Sequence, residues 1–277
     1  MNATGIAVPH SSVLNLVEAF ARISPALATI NFGGVVVIGP KRLTIIGVAP
    51  IANKSALKDA FAPFAAALIS GQIFADKTLI EDDLLVPSYP TYTSFLDFHE
   101  QTFGKTNELE GTGMRLTSRL IPNDLFVGDD NLSKLASALG NASAPPLSLH
   151  ILMSTPVSVP DTNRTTSVTP AWRSSLWHSF ISGSWPVGTS LKDQKTVADT
   201  VNYANDILIR LAPNSGAYQN EANIDEPNHE QTFWGDNIGR LKTIKKKYDP
   251  DNFFAVWHGV GWKGSGDADF VCYDKYN

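Results

Sequence analysis

Few residues of this chain have types and spacings that spell out chemistry. Six histidines, at positions 10, 99, 150, 178, 229 and 258, are scattered along its 277 residues. His178 has the clearest setting, in the run Ala171-Trp172-Arg173-Ser174-Ser175-Leu176-Trp177-His178-Ser179-Phe180. This run, extended to Ser182, predicts a strand, with Leu176, His178 and Phe180 on one face and Trp177 and Ser179 on the other. An imidazole whose ordinary pKa is ~6.5 can move a proton near neutrality. Taken alone, a half-buried histidine hydrogen-bonded to a neighbour is the simpler account. His229-Glu230 makes no metal site, because adjacent residues do not share a helical face and an acidic first turn is common. The chain has no G-x-S-x-G, no H-E-x-x-H, no Walker loop and no G-x-G-x-x-G after a strand. Its single cysteine, Cys272, excludes a zinc pair, a redox dithiol and an internal disulfide.

The elements that must position such residues are legible at both ends. Ser12 is placed to cap a helix carrying Val13, Leu16, Val17, Phe20, Ile23 and Leu27, which ends near Pro25 or a turn later. Val35 to Ile38 and Leu43 to Ile46 are β-branched runs around Gly39-Pro40-Lys41-Arg42, which predicts an antiparallel hairpin. Leu57, Phe61, Phe64 and Leu68 predict a second helix that Pro63 should kink or shorten. In the middle, Thr78 to Val86, Arg115 to Ile121 and Leu147 to Met153 read as strands. Tyr92 to Phe103 and Leu132 to Leu139 read as helices, and Val157 to Thr169 as a loop. Ser190 with Asp193 opens a helix that Pro213 stops. Asn228 begins another, with Trp234, Ile238, Leu241, Ile244 and Tyr248 as its inner face and lysines in its last turns. Helix, hairpin, helix is an α+β beginning.

Composition bounds the rest. The chain is 43% hydrophobic and 18% charged with a net charge of −5, too apolar for disorder and too evenly charged for a nucleic-acid surface. No run approaches the ~20 apolar residues of a membrane helix. Five Asn-x-Ser/Thr sequons, at Asn2, Asn53, Asn131, Asn141 and Asn163, argue for secretion, although the N-terminus has no basic-then-apolar leader.

Three segments near the C-terminus follow one another at short spacing. They are Gly216-Ala217-Tyr218-Gln219-Asn220-Glu221-Ala222-Asn223, then Phe233-Trp234-Gly235-Asp236-Asn237 with Arg240-Leu241, then Lys245-Lys246-Lys247-Tyr248-Asp249-Pro250-Asp251-Asn252-Phe253-Phe254 ahead of Gly259-Val260-Gly261. Together they resemble the C-terminal segment of the berberine bridge enzyme-like FAD-linked oxidases; no single piece is specific. The helix at 11–28, the Gly39-Pro40-Lys41 hairpin and the finish from Trp262 through Cys272-Tyr273 look most like the fungal isoamyl alcohol oxidase branch. The resemblance runs from about Val8 to Tyr273.

What the resemblance implies is an α+β fold. Residues 1–213 form a substrate-binding domain, an antiparallel sheet flanked by helices as in vanillyl-alcohol-oxidase-type flavoproteins. Residues 214–277 form a helical segment that packs on an FAD domain absent from this chain, so the cofactor, FAD, is held mainly elsewhere. In the implied reaction a base takes the proton of an alcohol, the carbon gives hydride to the flavin, and oxygen is the acceptor. Glu221, where many relatives have tyrosine, and His178 are the implied catalytic candidates; the alternative for Glu221 is a loop anchor through backbone N–H groups. Tyr218, Asn220 and Asn237 lie toward the flavin. Trp177 and Phe180 line an apolar pocket, or are core. Trp234, Tyr248 and Phe253 pack the last helix, and Arg240 anchors an ion pair. No metal, nucleic acid or membrane partner is implied; the partners are a small-molecule alcohol and a separate FAD-binding domain. Any secretion signal would lie in the absent half. A non-catalytic binding fragment is the rival reading, while a cofactor-free hydrolase has no nucleophile to support it. A piece of a larger protein should expose apolar surface between residues 214 and 277. Burial of Trp234, Ile238 and Phe253 against residues 1–213 would argue otherwise.

Overall fold

A computed structural model describes residues 2–4, 8–40, 42–50, 54–74, 88–104, 111–159, 166–268 and 270. Six strands form one sheet in the order β1-β3-β2-β5-β6-β4, and every neighbouring pair is antiparallel. The strands are β1 (Asn2–Thr4), β2 (Gly33–Gly39), β3 (Arg42–Val48), β4 (Gly113–Pro122), β5 (Ser148–Met153) and β6 (Ser175–Trp185). Helices α1 (His10–Thr29), α2 (Lys54–Ile69), α4 (Asp129–Ala142) and α5 (Leu191–Leu211) build one layer on one face, while α3 (Phe95–Thr102) stands to the side. The C-terminal segment adds α6 (His229–Trp234) and α7 (Ile238–Tyr248). This is the expected α+β class. No helix among the described residues is long and apolar enough to cross a membrane.

The core lies between sheet and helices, and the sequence periods explain it. Leu16, Val17, Phe20 and Leu27 of α1 are buried against Val36 and Ile38 of β2, Leu149 and Ile151 of β5, and Trp177 and Ile181 of β6. Alternation does the sorting: odd-numbered residues of β5 and β6 face the helices and even-numbered ones the other side. Trp177 stacks on Phe20 at 5.6 Å and meets Phe126 edge-on at 4.8 Å. Its indole N–H donates to Ser24 Oγ, which itself donates to Phe20 O, so a buried polar atom is satisfied inside α1. Losing that indole would cost about 3–5 kcal/mol.

Several expectations hold to within a residue or two, and the departures have local causes. The hairpin, the strand near 115–121, the strand near 147–153 and the helix opened by Ser190 are present. Asp193 N–H donates to Ser190 Oγ and Ser190 Oγ–H to Asp193 Oδ2. Helix α1 begins earlier, at His10, because Pro9 loses nothing there by lacking an N–H; Ser12 is buried inside the helix rather than capping it. Pro63 does not shorten α2, which continues to Ile69. The strand expected from Ala171 starts at Ser175, since Pro170–Ser174 is a 3-10 turn that lifts Trp172 out of the sheet. The expected helix from Asn228 to Tyr248 is two helices. Gly235 at φ +51°, ψ −132° breaks it and rotates the second half, so no residue of α7 is buried and Ile244 and Tyr248 are exposed. The strand expected at Thr78 to Val86 falls outside the described residues.

Candidate active site

The face of the sheet away from the helices is half-buried along Leu152, Val35 and Ile46 and buried at Leu120 and His178. Register brings side chains into rows across it. Leu120, His178, Leu152, Val35 and Ile46 pair in succession across β4, β6, β5, β2 and β3. The next row is Ser118, Phe180, His150, Val37 and Thr44. Phe180 stacks on His150 at 4.1 Å with an angle of 10°, and Ser182 Oγ lies 3.4 Å from His150 Nε2.

The segment after α5 delivers the other half of the site by turning round the edge of β4. Leu120 N–H donates to Gly216 O and Ser215 Oγ–H to Leu120 O, so the segment is pinned to that strand. Tyr218 and the 3-10 turn Gln219–Glu221 then stand over the end of the His178 row, with Glu221 N–H donating to Tyr218 O. The chain returns to the covered face, where Glu226 is buried against Arg119.

At the junction, Glu221 Oε2 is 3.6 Å from His178 Nε2. Trp172 and Tyr218 wall the imidazole at 5.3 and 5.8 Å and contact each other at 5.8 Å. Neither His178 Nε2 nor Glu221 Oε2 has a hydrogen-bond partner. Burial pushes the imidazole pKa down to about 4 and raises that of the Glu221 carboxyl. Near neutral pH His178 is therefore uncharged, so the contact is not an ion pair. Glu221, three-quarters buried, is the more basic of the two and the one that reaches the open face. Such a carboxylate can accept a proton from a group laid beside it.

The structure brings His178, Glu221, Tyr218 and Phe180 together and places Asn220 exposed on the same turn. Asn237 sits apart, its amide donating to Val168 O at 2.7 Å. Trp177 does not line this face: strand alternation buries it completely under α1, so its expected place at a pocket is corrected to core. Trp234 is buried with Phe233 and Ala217 in a small cluster of its own, Ile238 is half-buried, and Phe253 is 83% exposed beside exposed Phe254 and Val256. Among the described residues no group of His, Cys, Asp or Glu could hold a metal ion. Sequence reasoning missed Trp172, hidden in a run read as strand, and the Arg119–Glu226 pair, whose partners are 107 residues apart.

Comparison with known proteins bears on the fold and on the C-terminal segment that carries Glu221. Residues 217–261 match the family model "Berberine and berberine like". FAD-linked oxidoreductase ZEB1 of Gibberella zeae is 43% identical over 101 residues, covering 36% of this chain and 18% of that protein. FAD-linked oxidoreductase cheF of Chaetomium globosum is 27% identical over 196 residues, covering 69% of this chain and 31% of that protein. The VAO-type flavoprotein MtVAO713 from Myceliophthora thermophila C1 superposes with a TM-score of 0.74 at 22% identity, over 94% of this chain and 46% of that one. The chain thus spans less than a third of these curated relatives. The resemblance to berberine bridge enzyme-like FAD-linked oxidases, and a fold shared with VAO-type flavoproteins, are borne out. The isoamyl alcohol oxidase branch is not addressed by these matches.

Proposed function

We propose that this chain is the substrate-binding domain, residues 1–213, together with the berberine-type C-terminal segment, residues 214–277, of an FAD-linked oxidoreductase that oxidises an alcohol. The observation that carries the reading is the Glu221–His178 pair, two unpartnered polar atoms 3.6 Å apart at one end of a half-buried sheet face. The His178 end of that face fits the polar edge of a flavin ring, since the unpartnered His178 Nε2 and Glu221 Oε2 meet there beside the exposed Tyr218 and Asn220. None of these residues is suited to grip phosphates, a task that falls to a separate flavin-binding domain. The exposed Tyr248, Phe253, Phe254 and Val256 supply apolar surface for that domain to cover.

Bound FAD would supply the hydride acceptor, with oxygen as the final oxidant. The chain's own contribution is positional and electrostatic. Glu221, ionised, takes the hydroxyl proton, and its burial makes it a stronger base than a carboxylate in water. His178 remains neutral and so does not lock Glu221 into an ion pair. Trp172 and Tyr218 wall the imidazole that lies beside the carboxyl.

The test is to mix the chain with FAD, with and without a separately supplied flavin domain, and to add primary alcohols in the absence of oxygen. Bleaching of the visible flavin band by the natural chain and not by Glu221→Gln supports the reading. An unperturbed flavin spectrum with no bleaching overturns it. A second reading, substrate binding without redox activity, would be left standing by that outcome.

A further inference from the structure

The row of residues that begins at the base does not end there. From His178 it continues through Leu152, Val35 and Ile46, each half-buried and each paired with the next by register. No polar side chain interrupts those three positions. The adjacent row is different in kind, for it carries His150 and Thr44. The apolar track therefore belongs to the one row that starts at the Glu221–His178 pair.

The track leads to a cavity. Around the β3 edge lies an open pocket of about 690 Å³, within the range of small-molecule sites. Ile46 is in its wall, with Leu57 of α2, with Tyr89 and Tyr92 from the segment that leads into α3, and with Phe95 and Phe98 of α3. Phe98 meets Tyr92 edge-on at 5.3 Å and Phe95 at 5.9 Å, so the far wall is an aromatic cluster held by its own contacts. Ser94 Oγ caps α3 by accepting Asp97 N–H at 3.0 Å, which fixes where that cluster stands. Three strand spacings separate His178 from Ile46, about 14 Å.

We infer that the substrate is an elongated alcohol with an apolar tail, its hydroxyl at Glu221 and its tail laid over Leu152, Val35 and Ile46 into the aromatic cavity. This rests on Glu221 as the base and adds the class of molecule it serves. A polyhydroxylated substrate would find no side-chain hydrogen-bond partner at Leu152, Val35 or Ile46, so this row favours a hydrocarbon tail over a sugar. A short alcohol would reach the base and leave the cavity empty.

The experiment is a binding series of straight-chain primary alcohols, from butanol to dodecanol, measured on the full chain by isothermal titration calorimetry. Each added methylene should tighten Kd by up to about 4-fold until the tail fills the cavity, after which the gain levels off. Ile46→Glu, in the middle of the route, and Phe95→Ser, at the exposed rim of the cavity, should each flatten that length dependence. Tyr203→Ser, an exposed residue on the opposite layer, should leave the slope as it was. A flat series with the natural chain, or a slope that either Ile46→Glu or Phe95→Ser leaves intact, overturns the inference. The two readings fail separately. Glu221→Gln tests the base through flavin bleaching and should retain the length dependence of binding, whereas loss of that dependence alone would leave the base assignment untouched.

Discussion

Arg119 of β4 and Glu226 of the C-terminal segment form an ion pair in which each side chain is only 2% exposed, with Nη2 at 3.3 Å from both carboxylate oxygens. Glu226 also accepts from Thr232 Oγ1 and Asn205 Nδ2, and Asn205 Oδ1 accepts from Thr117 Oγ1. This network fastens the segment that carries Tyr218 and Glu221. Removing one partner strands a buried charge, so Glu226→Ala should lower stability by about 3–5 kcal/mol, read as a fall in the urea midpoint. Arg119→Met with Glu226→Leu should recover much of that loss; a double variant no more stable than Glu226→Ala would contradict the argument.

Acid should destabilise the fold well above the pH at which its carboxylates protonate. Burial lowers His178 and His258 from 6.5 to about 4, so in that window the unfolded chain binds protons that the folded chain refuses. Stability is then full above pH 6.5 and falls as pH drops toward 4, by a few kcal/mol for the two together. Glu221 works in the opposite direction, because its raised pKa makes the folded form take up a proton first. His178→Gln should flatten the dependence of Tm on pH between 6.5 and 4, and Glu221→Gln should steepen it toward the acid end. Equal slopes in all three proteins would refute the assignment.

How far the sequence went is clearest in β6. Alternation alone placed His178 and Phe180 on one face and Trp177 on the other, and that arrangement is in the structure. What alternation could not supply was which face the helices cover, and so Trp177 was expected at a pocket it does not reach. Residues close in sequence, such as Ser190 with Asp193, declared their contacts through a local spacing rule. Glu221 with His178 and Glu226 with Arg119 did not, because those meetings depend on the segment after α5 turning round the edge of the sheet. Gly235 was read as part of a helix pattern, since one glycine inside an apolar period does not disclose a positive φ.

That glycine gives a backbone prediction. At φ +51° and ψ −132° Gly235 occupies a region open in practice to glycine alone, and a Cβ there would sit 3.0 Å from Thr169 Oγ1. Gly235→Ala should cost about 1–3 kcal/mol and loosen the bond between Asn237 and Val168 O. Amide hydrogen exchange should show earlier opening at α6 and α7 than in the sheet; unchanged exchange there would count against the strain.

Two of the sequons have opposite fates in the fold. The amide of Asn131 donates to Asp124 O at 3.1 Å and Val127 O at 2.9 Å, holding the turn ahead of α4, whereas Asn141 in the last turn of that helix is exposed. On expression through a secretory pathway, Asn141 should carry glycan and Asn131 should remain bare, as peptide mass spectrometry after glycosidase treatment would reveal. Asn131→Gln should cost about 1 kcal/mol through its two lost bonds. Full occupancy at Asn131 in a normally stable protein would sink this reading.

The pH profile of the proposed alcohol oxidation would separate Glu221 from His178 as the base. If Glu221 takes the proton, the rate rises as its carboxyl ionises, on an acidic limb centred above the usual carboxylate range of ~4.5, because burial raises that pKa. His178, held down to about 4, is already neutral across this range and adds no second limb near 6.5. Glu221→Gln should lower the turnover rate by about 10²- to 10⁴-fold and abolish the limb. Glu221→Asp should keep a limb at reduced rate, since the shorter side chain draws the carboxylate back from the open face. A Glu221→Gln protein that retains the limb, while His178→Gln loses it, would transfer the proton to the imidazole and require that His178 be far more basic at work than its burial allows at rest.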